Sequence, residues 1–320
     1  MSDYALRVKE LDVHYYTDAG IVKAANKVTF DLKPGERLGL VGESGSGKST
    51  LALAILRMIK PPGRIAGGQI ILGNTDLTKL SEEEMRQTRS SQISMVPQGA
   101  MNSLNPVMRV KDQIIDSMLD HNLGLSKAEM EERASAALEA VELNLKVGRM
   151  YPHELSGGMK QRACIAISIA MSPQVIIADE PTSALDVVTQ RQVMQTIGRL
   201  QEQMGSAVIL IGHDMGLMAQ FVNRMAVMYA GSLAELGSVQ DIFTHPLHPY
   251  TQMLIESLPV LGNRGVFKGI PGITPLLRDL PPGCVFNTRC PKVMDVCRQK
   301  TPVFKEYTPG HWAACHLHEK

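Results

Sequence analysis

The sequence predicts an α/β fold built on a parallel sheet, with a small antiparallel β-rich edge, a helical block and a C-terminal appendage that carries cysteines. Three observations point there. "RLGLVG" (37–42), "QVIIADE" (174–180) and "SAVILIGHD" (206–214) are short apolar runs stopped by glycine or acidic residues, as strands buried on both faces of a parallel sheet require. The first of these leads through a glycine-rich loop into "STLALAILRMI", a strand–loop–helix order. From about 97 to 158 the chain turns instead to helix formers.

Taken in order, "ALRVKELDVHYY" and "IVKAANKVTFDL" read as two strands around a turn at Thr17 to Gly20, and "GGQIILGNTDL" adds a strand pair. Within the helical block, "SKAEMEERASAALEAVEL" spaces its apolar residues by three and four, and Ser126 with Glu129 three residues later forms a capping box. Beyond His245 the texture becomes "THPLHPYTQMLIESLPV", one short helix bracketed by prolines, followed by a Gly/Pro-rich tail. The prolines of "HPLHPY" shape the approach to that helix. The domain boundary is therefore expected at 244/245, with a core over 1–244 and a C-terminal region over 245–320.

Composition narrows the class. Lys plus Arg number 33 and Asp plus Glu 32, so no global field marks a nucleic-acid or membrane-surface binder. The start has no basic stretch leading into an apolar one, as a secretory signal would, and the longest apolar stretches fall short of the roughly 18 to 20 residues of a membrane span. A cytosolic chain is expected, and any membrane role would be borrowed from another polypeptide.

"GESGSGKS" (42–49) fits G-x-x-x-x-G-K-[ST] in the setting that motif needs, after a buried strand and before a helix. Its glycines let successive backbone N–H groups converge, and the helix N-terminus adds a positive end, so the loop is an anion nest. Gly42, Ser44, Gly45, Ser46, Gly47, Lys48, Ser49 and Thr50 are the expected phosphate cradle of a nucleoside triphosphate. Lys48 reaches the β- and γ-phosphates and Ser49 ligates Mg²⁺. "VIIADE" supplies the acidic strand end: Asp179 holds Mg²⁺ and Glu180 polarises the attacking water.

The stretch "LSGGMKQR" narrows the choice further. Ser156, Gly157 and Gly158 open a second helix suited to phosphate, which one triphosphate loop does not need unless two such domains pair head to tail. Over about residues 4 to 240 the chain resembles the ATPase subunits of ABC transporters. That resemblance implies a P-loop NTPase fold of the ABC type, a RecA-like core with an antiparallel β subdomain and a helical subdomain, working as a dimer. It makes Gln98 in "SMVPQ" the glutamine that senses Mg²⁺ and the membrane partner, Ser183–Asp186 ("SALD") the loop that communicates across the dimer, and His213 the contact to the γ-phosphate. Tyr15 aligns with the aromatic that stacks on adenine, with Tyr16 as its competitor. With those positions filled, hydrolysis is expected.

The tail, "HPLHPYTQMLIESLP", "PPGCVFNTRCPKVMDVC" and "HWAACH", is similar to the C-terminal region of dipeptide/oligopeptide importer ATPases, in particular the D-type subunit. The resemblance implies an energy-coupling subunit on the cytoplasmic face of the membrane. Its implied partners are a paralogous F-type ATPase, two permeases and an extracytoplasmic solute-binding protein, with no nucleic acid. Related subunits serve nickel, glutathione or oligosaccharides; a soluble ABC ATPase and an exporter subunit are the remaining alternatives. Cys284, Cys290, Cys297 and Cys315 run C-x₅-C-x₆-C-x₁₇-C, for which the resemblance implies a [4Fe–4S] cluster. The spacing departs from ferredoxin runs and from the close pairs of zinc sites, so zinc and free thiols stay open. His311, His316 and His318 read as solvated tail histidines, with substitute ligation the lesser alternative. Cys164 reads as core filler.

Overall fold

The computed structural model describes residues 3–99, 103–121, 123–258 and 269–319. They gather into two compact units, one of Met1–Leu6, Leu32–Glu36 and Lys79–Ile211, the other of Arg7–Asp31, Arg37–Thr78 and Gly212–Lys320.

In the first unit the strands Ile93–Val96, Val175–Asp179 and Ala207–Ile211 lie side by side in parallel. Every residue of the last two is buried, which is why their sequences do not alternate and are apolar except for the terminal Asp179. Helices Val110–Leu119, Lys127–Ala140, Gly157–Ile169 and Val187–Met204 accompany them. Ser126 and Glu129 form the expected capping box. Ser81 and Glu84 form another at the helix Glu82–Thr88, which sequence reading passed over although the same S-x-x-E spacing announces it. Asp186 caps the long helix through Val188 N and Thr189 N at 3.1 and 3.0 Å, and Gly205 ends it in the left-handed conformation. Residues 100–102 and 122 of the helical block lie outside the described residues. Cys164 is buried on its helix, and burial pushes its thiol up to about 12, in keeping with an inert core position.

The second unit holds two sheets. One orders the strands Gly20–Leu32, Leu6–Thr17, Gly63–Leu72 and Thr75–Asp76, so the predicted hairpin and strand pair form the antiparallel-type edge. In the other, Arg37–Val41 runs parallel to Arg224–Tyr229, which turns antiparallel into Ser232–Ser238. The tail then adds His311–Ala313 against Ser232–Ser238, pairing Glu235 with Ala313 and Leu236 with Trp312, and Lys305–Thr308 lies outermost. The proline-bracketed helix is Pro249–Glu256, with Pro249 in its first turn and the His248 imidazole accepting from Tyr250 N at 3.0 Å. Its closing proline, Pro259, is outside the described residues.

The tail histidines differ from the solvated reading. His311 is buried, with Nε2 2.7 Å from Glu235, and His316 is buried with Nδ1 against Glu319 and Nε2 2.8 Å from Lys300 O. Only His318 of the three is exposed. For His311 the reason is Glu235, a side chain with 0% exposure that also accepts from Leu247 N and His248 N, both at 2.8 Å. A carboxyl group this deep needs its hydrogen bonds complete, and the tail strand brings the His311 imidazole to it. Burial also drives His248 down to about 4, keeping that neighbouring ring neutral at physiological pH.

Glu235→Ala leaves two buried backbone donors and His311 without their acceptor. We expect a loss of about 3 kcal/mol or more in urea denaturation. A midpoint unchanged from the parent would show that the carboxylate does not hold the tail.

Candidate nucleotide site

The glycine loop lies in the second unit. The strand Arg37–Val41 ends at Gly42, which has φ +148°, and a Cβ there would stand 2.2 Å from Met228 O. Gly47 has φ +102°, and its Cβ would stand 2.1 Å from Ala24 O. Both positions exclude any side chain on steric and dihedral grounds, and both close approaches bend the loop into its nest. Helix Lys48–Ile55 follows directly, with Gly47 as N-cap, so the first-turn N–H groups of Lys48, Ser49 and Thr50 face the loop side without a side-chain cap. Lys48 is buried, and its Nζ donates to Gly42 O at 2.8 Å and Glu43 O at 2.9 Å. Ser46 is fully buried while Ser44 and Gly45 are exposed.

The acidic strand end belongs to the first unit. Parallel pairing sets Val96 level with Ala178 and Asp179 level with Ile211, so Gln98 and Glu180, each two residues further on, emerge together. Gln98 Nε2 donates to Glu180 Oε2 at 2.9 Å. Glu180 has φ +45°, unusual for a side chain of this size, and its N–H donates to Ile211 O at 3.0 Å. Asp179, the last strand residue, is 3% exposed.

Ser156 caps the helix Gly157–Ile169, accepting from Met159 N at 3.4 Å, and is itself exposed. Gly157 and Gly158 are the first two helical residues; a Cβ on Gly158 would meet Thr189 Cγ2 at 2.8 Å. Gln98 and His213 are exposed as well, His213 lying just ahead of the helix Met215–Ala219. Tyr15 continues the inward face of Leu11 and Val13, half-buried, with its ring where a Cβ on Gly63 would be. Tyr16 points the other way, 37% exposed, with the Arg64 guanidinium 4.1 Å from its ring centroid.

All four tail cysteines lie in the second unit. Cys284, Cys297 and Cys315 are buried and Cys290 half-buried. Burial pushes the thiols of Cys284 and Cys315 up to about 11, and the three other thiols add to the rise at Cys315. Among the described residues no group of three or more His, Cys, Asp or Glu side chains is arranged to hold a metal ion, so the geometry gives the iron–sulfur expectation no support. Sequence reading also left Glu43 without a role. The signal was there, a carboxylate inside an anion-binding loop, which demands a counter-charge from elsewhere.

Comparison with known proteins places the chain. The ABC transporter family matches residues 25–183, and the oligopeptide/dipeptide transporter C-terminal region matches residues 234–297. The probable peptide ABC transporter ATP-binding protein y4tR of Sinorhizobium fredii is 44% identical over 98% of this chain and 95% of its own. The oligopeptide transport ATP-binding protein OppD of Escherichia coli is 42% identical over 98% and 93%, and the dipeptide transport ATP-binding protein DppD of the same organism 39% over 97% and 96%. The ATP-binding cassette MJ0796, solved as a dimer in a post-hydrolysis state with ADP and Pi, superposes with a TM-score of 0.65 at 28% identity, covering 73% of this chain and 98% of that one. Among the described residues no helix is long and apolar enough to cross a membrane. With a glycine loop that buries its lysine, an acidic strand end bonded to a glutamine, and these relatives along its length, the chain belongs to the ABC transporter family, as an ATP-hydrolysing ATP-binding subunit of the oligopeptide/dipeptide type.

Proposed function

We propose that this ATPase powers the import of di- and oligopeptides through separate permease subunits. The observation that carries the cargo is the match of residues 234–297 to the oligopeptide/dipeptide C-terminal region, joined to likeness over nearly the whole chain to proteins named for those substrates. The subunit works at the cytoplasmic face of the membrane, beside a paralogous ATPase, two permeases and an extracytoplasmic solute-binding protein. The dimeric form in which the MJ0796 cassette was solved supports the pairing.

In the chemistry proposed, Gly42 to Thr50 cradle the phosphates of ATP and Lys48 leaves its carbonyl partners for the β- and γ-phosphates. Tyr15 stacks on adenine. Ser49, Asp179 and Gln98 hold Mg²⁺, which when bound neutralises charge that builds on the transferring phosphoryl group. Glu180 orients and polarises water for attack on the γ-phosphorus, and the Gln98 amide fixes that carboxylate's direction. His213 contacts the γ-phosphate. Ser156, Gly157 and Gly158 present their helix end to the triphosphate held by the other cassette. Cys284, Cys290, Cys297 and Cys315 are proposed to take a [4Fe–4S] cluster on the resemblance of the tail and its four-thiol donor set alone; no step of hydrolysis passes through it.

Glu180→Gln should retain ATP binding while slowing hydrolysis on the order of 10²-fold or more, since it keeps the shape and loses the charge. Unchanged turnover would remove Glu180 from its role. Lys48→Ala should weaken ATP binding itself, and Tyr15→Ala should weaken it more than Tyr16→Ala; the reverse order of the tyrosines would move the adenine platform to Tyr16. Cells lacking the protein should lose uptake of labelled di- and tripeptides and regain it with the parent gene but not the Glu180→Gln variant. Normal peptide uptake alongside a defect for nickel, glutathione or an oligosaccharide would reassign the cargo. Protein purified without oxygen should be brown, with iron and acid-labile sulfide in equal amounts, and colourless protein would overturn the cluster.

A further inference from the structure

Glu43 is an anomaly in its own loop. The role of its partner, Arg289, rests on the proposal that Gly42–Thr50 gathers the phosphates of ATP: in such a cradle a carboxylate at the second position repels the incoming triphosphate. It also competes for Lys48, whose charge it already feels. A solvated glutamate would simply swing away. This one is held.

Arg289 holds it. The guanidinium grips the carboxylate with both ends, Nη1 to Oε2 at 2.7 Å and Nη2 to Oε1 at 3.0 Å, the bidentate geometry that makes such pairs strong and directional. The Arg289 side chain is 4% exposed, and its remaining donors are spent locally: Nε on Pro271 O at 2.9 Å, Nη2 on Ile270 O at 3.2 Å, and Nη1 on Thr274 Oγ1 and Tyr229 Oη at 3.0 and 3.3 Å. The Thr274 hydroxyl donates to the same glutamate. On the backbone side, Glu43 N donates to the Tyr250 hydroxyl at 2.9 Å. Burial pushes the Glu43 carboxyl up, but the hydrogen bonds from Arg289 and Thr274 and the charges of Arg289 and Lys48 outweigh it, holding the group below the ordinary carboxylate value.

The grip is built on a rigid base. Arg289 N and Cys290 N both donate to Phe286 O at 3.0 Å. The Phe286 ring packs 5.1 Å from Tyr229 and 5.4 Å from Tyr250, which lie 4.6 Å from each other, and both tyrosines are essentially fully buried. All of these residues belong to one compact unit. Arg289 itself stands between Cys284 and Cys290, inside the cysteine-bearing segment and 246 residues from its partner.

We propose that Arg289 is a positioning residue of the nucleotide site: supplied by the cysteine segment, it neutralises Glu43 and fixes its direction, leaving the loop's N–H groups and Lys48 to the phosphates. Removing the guanidinium exposes a negative charge in the phosphate cradle. Removing the carboxylate as well takes that charge away again, and the split between KM and kcat tells a lost phosphate contact from a loosened fold.

The test is a fluorescent ATP analogue titrated with Mg²⁺ into the full chain, with ATP hydrolysis measured alongside. Arg289→Ala should weaken binding about tenfold or more and raise KM far more than it lowers kcat. Arg289→Lys should fall between, since it keeps the charge and loses the bidentate grip. The Arg289→Ala/Glu43→Gln double variant should recover most of the lost affinity, with Glu43→Gln measured to close the cycle. Should Arg289→Ala fail to fold, Arg289→Lys with and without Glu43→Gln makes the same comparison. Parental affinity in Arg289→Ala, or a double variant as weak as the single one, overturns the proposal. A parent chain that does not bind the analogue, or that binds it as well after Lys48→Ala, overturns the nucleotide-site assignment instead, so the two failures are told apart.

Discussion

Everything at the phosphate loop depends on two missing side chains. Gly42 and Gly47 approach the carbonyls of Met228 and Ala24 so closely that a Cβ would sit at 2.2 and 2.1 Å, well inside contact distance. Because the loop can close down on neighbouring backbone, the helix begins at Lys48 and the lysine folds back over the carbonyls of Gly42 and Glu43. The folded lysine is satisfied by those two backbone oxygens. The same closure presents Glu43 to Tyr250, Thr274 and Arg289.

The acidic half is governed by a different constraint, the shared register of parallel strands. Gln98 and Glu180 meet because both follow strand residues that stand level, and neither is part of the regular ladder itself. Glu180 carries a left-handed backbone at the point where the apolar strand stops, a conformation that costs on the order of 1–3 kcal/mol and persists only where surroundings enforce it. The buried strands on its N-terminal side supply that enforcement. Exposed Gln98, Ser156 and His213 contrast with the buried charges of the tail, which are satisfied within the chain.

Much of this was legible beforehand for identifiable reasons. Strands at 37–41, 175–179 and 207–211 are apolar, apart from Arg37 and Asp179 at their ends, because both faces are buried, and that property is local. The box at Ser126 and Glu129 is a four-residue pattern with one geometric meaning. The phosphate loop is a spacing of glycines, lysine and serine that leaves few other uses. By contrast, His311 looked like a solvated tail residue because Glu235 lies 76 positions away, and His316 because the Lys300 carbonyl that buries its other nitrogen lies 16 away, although Glu319 is only three residues on. The helix at 82–88 is too short for an apolar period to show, and its only local signal was the Ser81–Glu84 box.

By itself, the order of residues determined the strands, the caps and the anion-binding loop, since each is a matter of neighbours within a few positions. Tertiary structure alone decided which partner each buried carboxyl group meets: Arg289 for Glu43, 246 residues apart, and His311 for Glu235, 76 apart. Burial makes such pairing obligatory, yet any of the other arginines or histidines would have satisfied the chemistry, and only the packing of the chain selects the one that arrives.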